Sequence, residues 1–191
     1  MTATPVLDRR PSAPLRGAAT FLPRLAPRAG MASRGAAGFG ASTTFIALSP
    51  HLVCVLESPG SGAVTHQEVG GAGLTVHQAW NSAADALLRA AQATGGIEFW
   101  VRPASRSLGP GAPRGLEVRG DASRWLAHPR LFSVLHVHFT GVLGPTRELT
   151  YLSRDCGELF VFDAPAAEVA DYAGPRGVMR YSLGFPLLTT A

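Results

Sequence analysis

Lysine is absent from this chain of 191 residues, so every one of its seventeen basic residues is an arginine. A chain without lysine has no P-loop lysine, no kinase-type lysine, no Schiff-base lysine and no Ser-x-x-Lys nucleophile pair. Several large classes of enzyme are therefore excluded. Asparagine is also scarce and occurs once, at Asn81, which is typical of a GC-rich coding sequence.

Cysteine and long apolar runs are scarce as well. The two cysteines, Cys54 and Cys156, lie far apart and form no Cys-x-x-Cys motif. They predict no disulfide framework, although a single bridge between them is an open alternative. A reducing compartment is favoured, and we expect a bacterial cytoplasmic location. No run of about 18 apolar residues occurs, so no membrane span is predicted.

Positive charge is concentrated near the N terminus. Residues 1–34 hold six arginines and one acid, whereas the remaining residues hold eleven arginines and twelve acids. The net charge of +4 therefore does not indicate a basic nucleic-acid-binding face on the folded part.

Residues 1–40 are predicted to form a disordered N-terminal arm, because they are rich in Ala, Arg, Pro, Gly and Ser and show no apolar periodicity. Five prolines interrupt any helix in this segment: Pro5, Pro11, Pro14, Pro23 and Pro27. Three roles are open for the arm. It is a passive extension, a transit peptide that would direct the protein to an organelle matrix, or a tether that binds an acidic or nucleic-acid partner.

Residues 41–191 are predicted to form a single α+β domain, in which a small mixed or antiparallel sheet packs against three or four helices. The predicted strands are 43–48, 52–57, 97–102, 115–119, 148–152, 158–162 and 178–183. The predicted helices are 76–92, 121–127, 129–142 and 165–173, and residues 103–114 are predicted to be a loop. Strand 52–57 is apolar on both faces, which is typical of a strand that is covered on both sides and which buries Cys54.

Two of the predicted helices rest on clear periodicity. Thr75 and Gln78 form a capping box that begins helix 76–92. The inward stripe of this helix is predicted to be Val76, Trp80, Ala83, Leu87 and Ala91. Residues 129–142 also alternate like a strand, but a helix accounts for more of their apolar positions. The inward face of that helix is predicted to be Leu131, Phe132, Leu135, Phe139, Val142 and Leu143.

Three stretches of the chain, TVHQAWNSAADALLRAA, RGDASRWL and LTYLSRDCGELFVF, resemble the YtpQ-like proteins, a bacterial family of unknown function. The resemblance covers residues 43–163 and implies that the last stretch forms a strand, an Arg-Asp turn and a returning strand. It supports the fold and implies no reaction, because the family has no known activity. The long loop at 103–114 and the arginine-bearing arm depart from the family's pattern.

The sequence His136-Val137-His138 is a candidate for metal binding. On a strand, both imidazoles would project to one side and could share a zinc ion. On the predicted helix, residues two apart point about 200° away from each other, so they do not chelate one ion. We therefore expect no metal site, with His136 at the surface and His138 at the edge of the core.

The turn Arg154-Asp155-Cys156-Gly157 is the strongest candidate for a catalytic site. A nucleophilic thiol needs a nearby cation that lowers its pKa and a base that accepts its proton. Arg154 is a candidate for the first role, and any of the six histidines is a candidate for the second. In a simpler interpretation the residues form a turn, in which Asp155 accepts hydrogen bonds from nearby backbone amides.

A second charged group consists of Arg119, Asp121 and Arg124 around Gly120. Guanidinium groups match the geometry of phosphates and carboxylates, so an anion site is one interpretation. We favour the other, in which this group is the start of a helix with a local salt bridge.

A non-enzymatic accessory or protein-interaction domain is the function that these observations favour, with another protein as its partner. Two alternatives stay open: a cysteine-dependent enzyme centred on Cys156, and a domain that binds a small molecule between its sheet and helices. No cofactor is predicted, because the glycine-rich pieces GFG, GGAG and GPGAPRG lack the dinucleotide-binding spacing.

Overall fold

Two antiparallel sheets, a short hairpin and five α-helices make up the described part of the chain, which comprises residues 21–31, 41–93, 96–146 and 148–189 of the computed structural model. The strands are β1 Leu22–Pro27, β2 Phe45–Ala47, β3 Leu52–Ser58, β4 Gly62–Ala63, β5 Gln92–Ala93, β6 Gly96–Ile97, β7 Val101–Pro103, β8 Gly115–Val118, β9 Leu149–Leu152, β10 Leu159–Asp163, β11 Val178–Ser182 and β12 Phe185–Leu188. The helices are α1 His66–Gly71, α2 Val76–Ala90, α3 Ser105–Leu108, α4 Pro129–Leu143 and α5 Ala166–Ala173, together with 3-10 helices at Arg28–Gly30 and Ala122–Ala127. No helix in these ranges is long and apolar enough to cross a lipid bilayer.

The strand order separates the two ends of the chain into different sheets. The first sheet has the order β1-β3-β2, with β4 also paired to β3. The second has six strands in the order β12-β11-β9-β10-β8-β7. One cluster of buried side chains joins both sheets and α4, and it includes Leu25, Leu56, Leu135, Tyr151 and Val161. The predicted α+β class is confirmed, although the strands form two larger sheets where one was predicted.

Strand β1 lies inside the segment that the sequence predicts to be disordered. It pairs in antiparallel register with β3 over its whole length, and its Leu25 is fully buried. The prediction of disorder is therefore wrong for β1. Prolines mislead the prediction because β1 is an edge strand, where Pro23 and Pro27 are tolerated although they lack an N–H group. Residues 1–20 and 32–40 lie outside the described residues, so the disordered arm, the transit peptide and the tether stay predictions there.

Strand β3 is covered on both faces, as its two-sided apolar pattern predicts. Leu52, Cys54 and Leu56 pack into the cluster that joins the sheets, whereas Val53 and Val55 pack into a separate cluster on the opposite face. Cys54 is buried as predicted, and this burial raises the pKa of its thiol to about 12.

Helix α2 begins at the predicted capping box. The Thr75 hydroxyl accepts a hydrogen bond from the Gln78 N–H at 3.2 Å, and the Gln78 side chain accepts one from the Thr75 N–H at 2.8 Å. The helix ends at Ala90, earlier than predicted, because the chain enters β5. Trp80 is buried as predicted, and its indole N–H donates to the Ala127 carbonyl at 2.9 Å, which joins α2 to the second 3-10 helix.

Helix α4 confirms the helical interpretation of residues 129–142. Its buried residues are Leu131, Phe132, Leu135, Phe139 and Leu143. The prediction is wrong for one inward position, because Val142 is 54% exposed. In the last turn of the helix the buried row of side chains continues through Leu143, and the neighbouring Val142 points to the outer surface.

The predicted strand 97–102 is divided between two sheets. Ile97 belongs to β6, which pairs with β5, whereas Val101 belongs to β7, which pairs with β8. Residues 98–100 lie outside both strands, and Trp100 is 81% exposed. The prediction of one continuous strand is therefore wrong, because the chain changes its pairing partner between its two ends.

The predictions for the C-terminal half are largely confirmed. Strands β9 and β10 pair antiparallel around the Arg-Asp-Cys-Gly turn, and β8, α5 and β11 lie where they are predicted. The predicted loop 103–114 contains the short helix α3. Strand β12 is not predicted, because Pro186 indicates a break in the strand pattern. This proline is tolerated within β12 because β12 is an edge strand of its sheet.

Candidate functional site

The turn between β9 and β10 brings Arg154, Asp155 and Cys156 together. Oδ1 of Asp155 accepts hydrogen bonds from the backbone N–H of Gly157 at 2.9 Å and of Glu158 at 3.3 Å. These backbone bonds lower the pKa of Asp155. The guanidinium of Arg154 donates to both carboxylate oxygens of Glu158, at 2.5 and 2.9 Å. This is the geometry of the simpler interpretation, a turn that an aspartate side chain stabilises.

The surroundings of the Cys156 thiol oppose thiolate formation. Its side chain packs against the cluster that joins the sheets, and burial raises its pKa. Arg24 and Arg176 lower the pKa and Asp155 raises it, but burial has the largest effect. Since a nucleophilic cysteine needs a lowered pKa, this geometry does not favour the cysteine-dependent enzyme. Both cysteines are free, so the alternative bridge between Cys54 and Cys156 is not formed.

Backbone contacts hold this turn on two sides. The Ser123 hydroxyl donates to the Cys156 carbonyl at 2.5 Å, and the Ser153 N–H donates to the Gly177 carbonyl at 3.0 Å. Gly177 has a φ of 78°, and a Cβ at this position would lie 2.2 Å from the Ser153 carbonyl oxygen. Glycine is therefore required here by both conformation and space.

The two histidines of α4 point in different directions, as the helix predicts. His136 is half-buried, since its Nδ1 lies 2.7 Å from the Tyr151 hydroxyl and its ring stacks on Tyr181 with centroids 4.0 Å apart. The prediction that His136 lies at the surface is therefore wrong, because Tyr151 of β9 and Tyr181 of β11 cover this side of α4. His138 lies at the edge of the core as predicted, against Phe99 at 4.8 Å. Within the described ranges, no group of three or more His, Cys, Asp or Glu side chains could hold a metal ion.

The second charged group forms the predicted local salt bridge. Nε of Arg124 lies 3.1 Å from Asp121, and Nη1 of Arg124 lies 3.1 Å from Glu57 of β3. Nη1 of Arg119 lies 2.9 Å from Glu117. Carboxylates of the protein itself therefore neutralise both arginines, which opposes the interpretation of an anion site.

His128 is a buried titratable residue that the sequence does not single out. Its Nδ1 accepts the Arg130 N–H at 3.1 Å, so its Nε2 carries the proton that it donates to Asn81 Oδ1, also at 3.1 Å. Its ring packs on Trp80 with centroids 4.3 Å apart. Burial, together with the smaller effect of the Arg130 charge, lowers its pKa to about 4. This neutral imidazole caps α4 and joins it to α2, so its role is structural.

A groove between α4 and the segment that follows α2 is the strongest candidate for a binding site. Its larger part has a volume of about 550 Å³, and its smaller part has a volume of about 340 Å³. The larger part is lined by Gln92, Gly96, Ile97, Ser133, Val134, Val137 and His138. The smaller part is lined by Ile97, Glu98, Phe99, Trp100 and His138. Because the two parts share two residues, we treat them as one surface, called the α4 groove below.

The α4 groove is apolar, and its most exposed side chains are large. Val137 is 70% exposed and Trp100 is 81% exposed. Trp100 turns outward because its neighbour Phe99 turns inward, where it packs against Trp125 and Phe139 with centroids 4.8 and 5.5 Å apart. This site is not predicted from the sequence. The available signal was Val137, an apolar residue that falls outside the inward stripe of an otherwise amphipathic helix.

A further cavity of about 530 Å³ lies between α5 and the loop before β8. Its lining includes two prolines and two acids, Pro113, Pro165, Glu168 and Asp171. The hydroxyl of Tyr172 closes one side by donating to the Leu108 carbonyl at 2.6 Å. Only one of its lining residues, Tyr172, is a large apolar side chain that is exposed, whereas the α4 groove has two, Val137 and Trp100.

Comparison of this chain with protein families, with curated proteins and with solved structures finds no match. The resemblance to the YtpQ-like proteins therefore stays a prediction.

Proposed function

We propose that this protein is a non-enzymatic interaction domain whose α4 groove binds an apolar side chain of a partner protein. The observation that supports this proposal is the exposure of two large apolar side chains, Val137 and Trp100, beside an apolar concavity. Exposed apolar surface is unfavourable in water, and its burial yields about 25 cal/mol per Å². Apolar side chains that are exposed beside a concavity are typical of interaction sites on proteins.

The walls of the groove are firmly held, which favours binding. Helix α4 is fixed by its row of buried side chains, and Phe99 anchors the opposite wall through its contacts with Trp125 and Phe139. A site that is formed before its partner arrives loses little conformational entropy when the partner binds. Tryptophan is also enriched among the residues that dominate binding energy at protein interfaces, which supports a role for Trp100.

The polar candidates for chemistry are already engaged within the protein. Arg154 is paired with Glu158, and Asp155 is bonded to backbone amides. Burial raises the pKa of Cys156, which disfavours a nucleophilic thiolate. These contacts support a binding role over a catalytic one.

The experiment is a selection of short random peptides displayed on phage, with the full chain as bait. The affinities of the selected peptides are then measured by fluorescence polarisation for wild type and for Val137→Asp. We expect this change to weaken binding by at least about tenfold, because the carboxylate would be buried without a partner in an apolar groove. Leu183→Asp is the matched control, since Leu183 is 89% exposed and lies in the turn between β11 and β12, outside the groove.

Two results would contradict the proposal. One is a selection that yields no peptide above background. The other is a set of peptides that bind wild type and Val137→Asp equally well. Both variants are first compared with wild type by circular dichroism and thermal unfolding, so that a loss of binding is not mistaken for a loss of fold. If metabolites but no peptides stabilise wild type and not Val137→Asp, the groove is a small-molecule site instead.

A further inference from the structure

The smaller part of the α4 groove combines an aromatic face with a carboxylate. Glu98 and Trp100 both line this part of the groove, and both are exposed. Ile97, which precedes Glu98, and Phe99, which lies between the two, are half-buried. The acid and the indole therefore both lie at the solvent-exposed border of the smaller part of the groove. The Trp100 carbonyl accepts the Arg119 N–H at 2.8 Å, which fixes the backbone at this point.

Glu98 differs from Asp85 and Glu117 in its lack of a charged partner. Asp85 is bonded to Arg130, and Glu117 is bonded to Arg102 and Arg119. Among the described residues, no arginine forms a salt bridge with Glu98. The carboxylate of Glu98 is therefore an uncompensated negative charge on the wall of an apolar groove.

His138 does not compensate this charge. Its ring lies between the larger and smaller parts of the groove, and burial lowers its pKa below its ordinary value. The imidazole is therefore neutral at neutral pH and does not repel a cation. The groove thus presents one negative charge, one large aromatic face and an adjoining apolar concavity.

We propose that the partner segment of the α4 groove carries a lysine or arginine beside its apolar anchor, and that Glu98 and Trp100 recognise this cation. A cation is attracted both to the face of an indole and to a nearby carboxylate. Because the two parts of the groove share Ile97 and His138, one short segment reaches both. This inference rests on the proposed function, and it names the chemistry of the partner.

The test uses the peptides that the phage selection yields. We expect them to be enriched in arginine or lysine at a fixed spacing from an apolar residue. Each arginine peptide is compared with the same peptide in which citrulline, a neutral isostere, replaces the arginine. Against wild type, citrulline is expected to lower affinity about three- to tenfold, as exposed cation–aromatic and ion-pair contacts imply.

Two substitutions on the protein assign that loss to the groove. Glu98→Gln and Trp100→Leu are each expected to reduce the difference between the arginine and citrulline peptides. Asp171→Asn is the matched control, because Asp171 is an exposed acid of the cavity beside α5. It is expected to leave the difference unchanged.

The outcomes separate this inference from the proposed function. Peptides that depend on Val137 but bind equally well with arginine and citrulline would overturn the inference and leave the function in place. Peptides that do not depend on Val137 would overturn both. Self-association of the wild-type chain that Val137→Asp abolishes, measured by sedimentation, would assign the groove to a second copy of the protein and would also overturn the inference.

Discussion

Replacing Gly177 with alanine is expected to destabilise the protein strongly, although it adds only one methyl group. Gly177 has a φ of 78°, and its added Cβ would lie 2.2 Å from the Ser153 carbonyl oxygen and 2.9 Å from the Arg154 Cα. These neighbours are backbone atoms, so no side chain can rotate away to make room. The two backbone segments must separate, and this weakens or breaks the hydrogen bond from the Ser153 N–H to the Gly177 carbonyl.

The magnitude follows from two separate costs. An L-residue in the left-handed region costs about 1–2 kcal/mol. The loss of a buried backbone hydrogen bond costs about 1–3 kcal/mol more, and Ser153 is buried. Gly177→Ala is therefore expected to lower the free energy of unfolding by about 2–5 kcal/mol. Gly120→Ala is the matched control, since Gly120 has a φ of 81° and no atom within 4 Å of its added Cβ. It carries the first cost alone.

Urea denaturation of wild type and the two variants measures the difference. For a protein of this size, each kcal/mol also lowers Tm by about 2–4 °C, so thermal unfolding gives an independent check. Equal destabilisation by Gly177→Ala and Gly120→Ala would refute the reasoning, because it would show that the close approach of the two segments has no energetic consequence.

Two further predictions concern titratable groups. Burial raises the pKa of Cys156 and raises that of Cys54 to about 12. At neutral pH, iodoacetamide should therefore label Cys156 more slowly than a model thiol and should label Cys54 only after unfolding. Rapid labelling of native Cys156, measured by mass spectrometry, would contradict this prediction and support the cysteine-dependent enzyme. In the folded state the pKa of His128 is about 4, whereas its ordinary value is 6.5. As pH falls, the unfolded state therefore binds a proton at His128 before the folded state does. The stability that His128 contributes is lost as pH falls from about 6.5 to about 4. His128→Gln should lack this part of the pH dependence in urea titrations, and parallel pH profiles for the two proteins would contradict the prediction.

Helices and hairpins could be predicted from the sequence because their signals are local. The capping box at Thr75 and Gln78 begins α2, and its bonds involve only residues within one turn. The apolar ridge of α4 is likewise visible at helical spacing. The Arg-Asp-Cys-Gly turn could be placed between β9 and β10 because Asp155 bonds only to amides two and three residues away.

What could not be predicted depends on partners that are distant in sequence. Leu25 lies among prolines that indicate disorder, and only pairing with β3 makes its segment a strand. Trp100 lies in an apparent strand, and only the different partners of β6 and β7 leave it exposed. The α4 groove was missed for the same reason, since Glu98 and Val137 are brought to one surface by tertiary packing alone.

The position of β1 also bears on how this protein avoids aggregation. Composition alone indicates a boundary after residue 40, and a chain shortened there would lose β1. Strand β3 would then expose the unpaired edge of Leu-Val-Cys-Val-Leu, a run without charge or proline that readily pairs with another molecule. In the intact chain the outer edge belongs to β1, where Pro23 and Pro27 offer no N–H group to a further strand. Strand β1 thus protects this edge of the first sheet from pairing with a strand of another molecule.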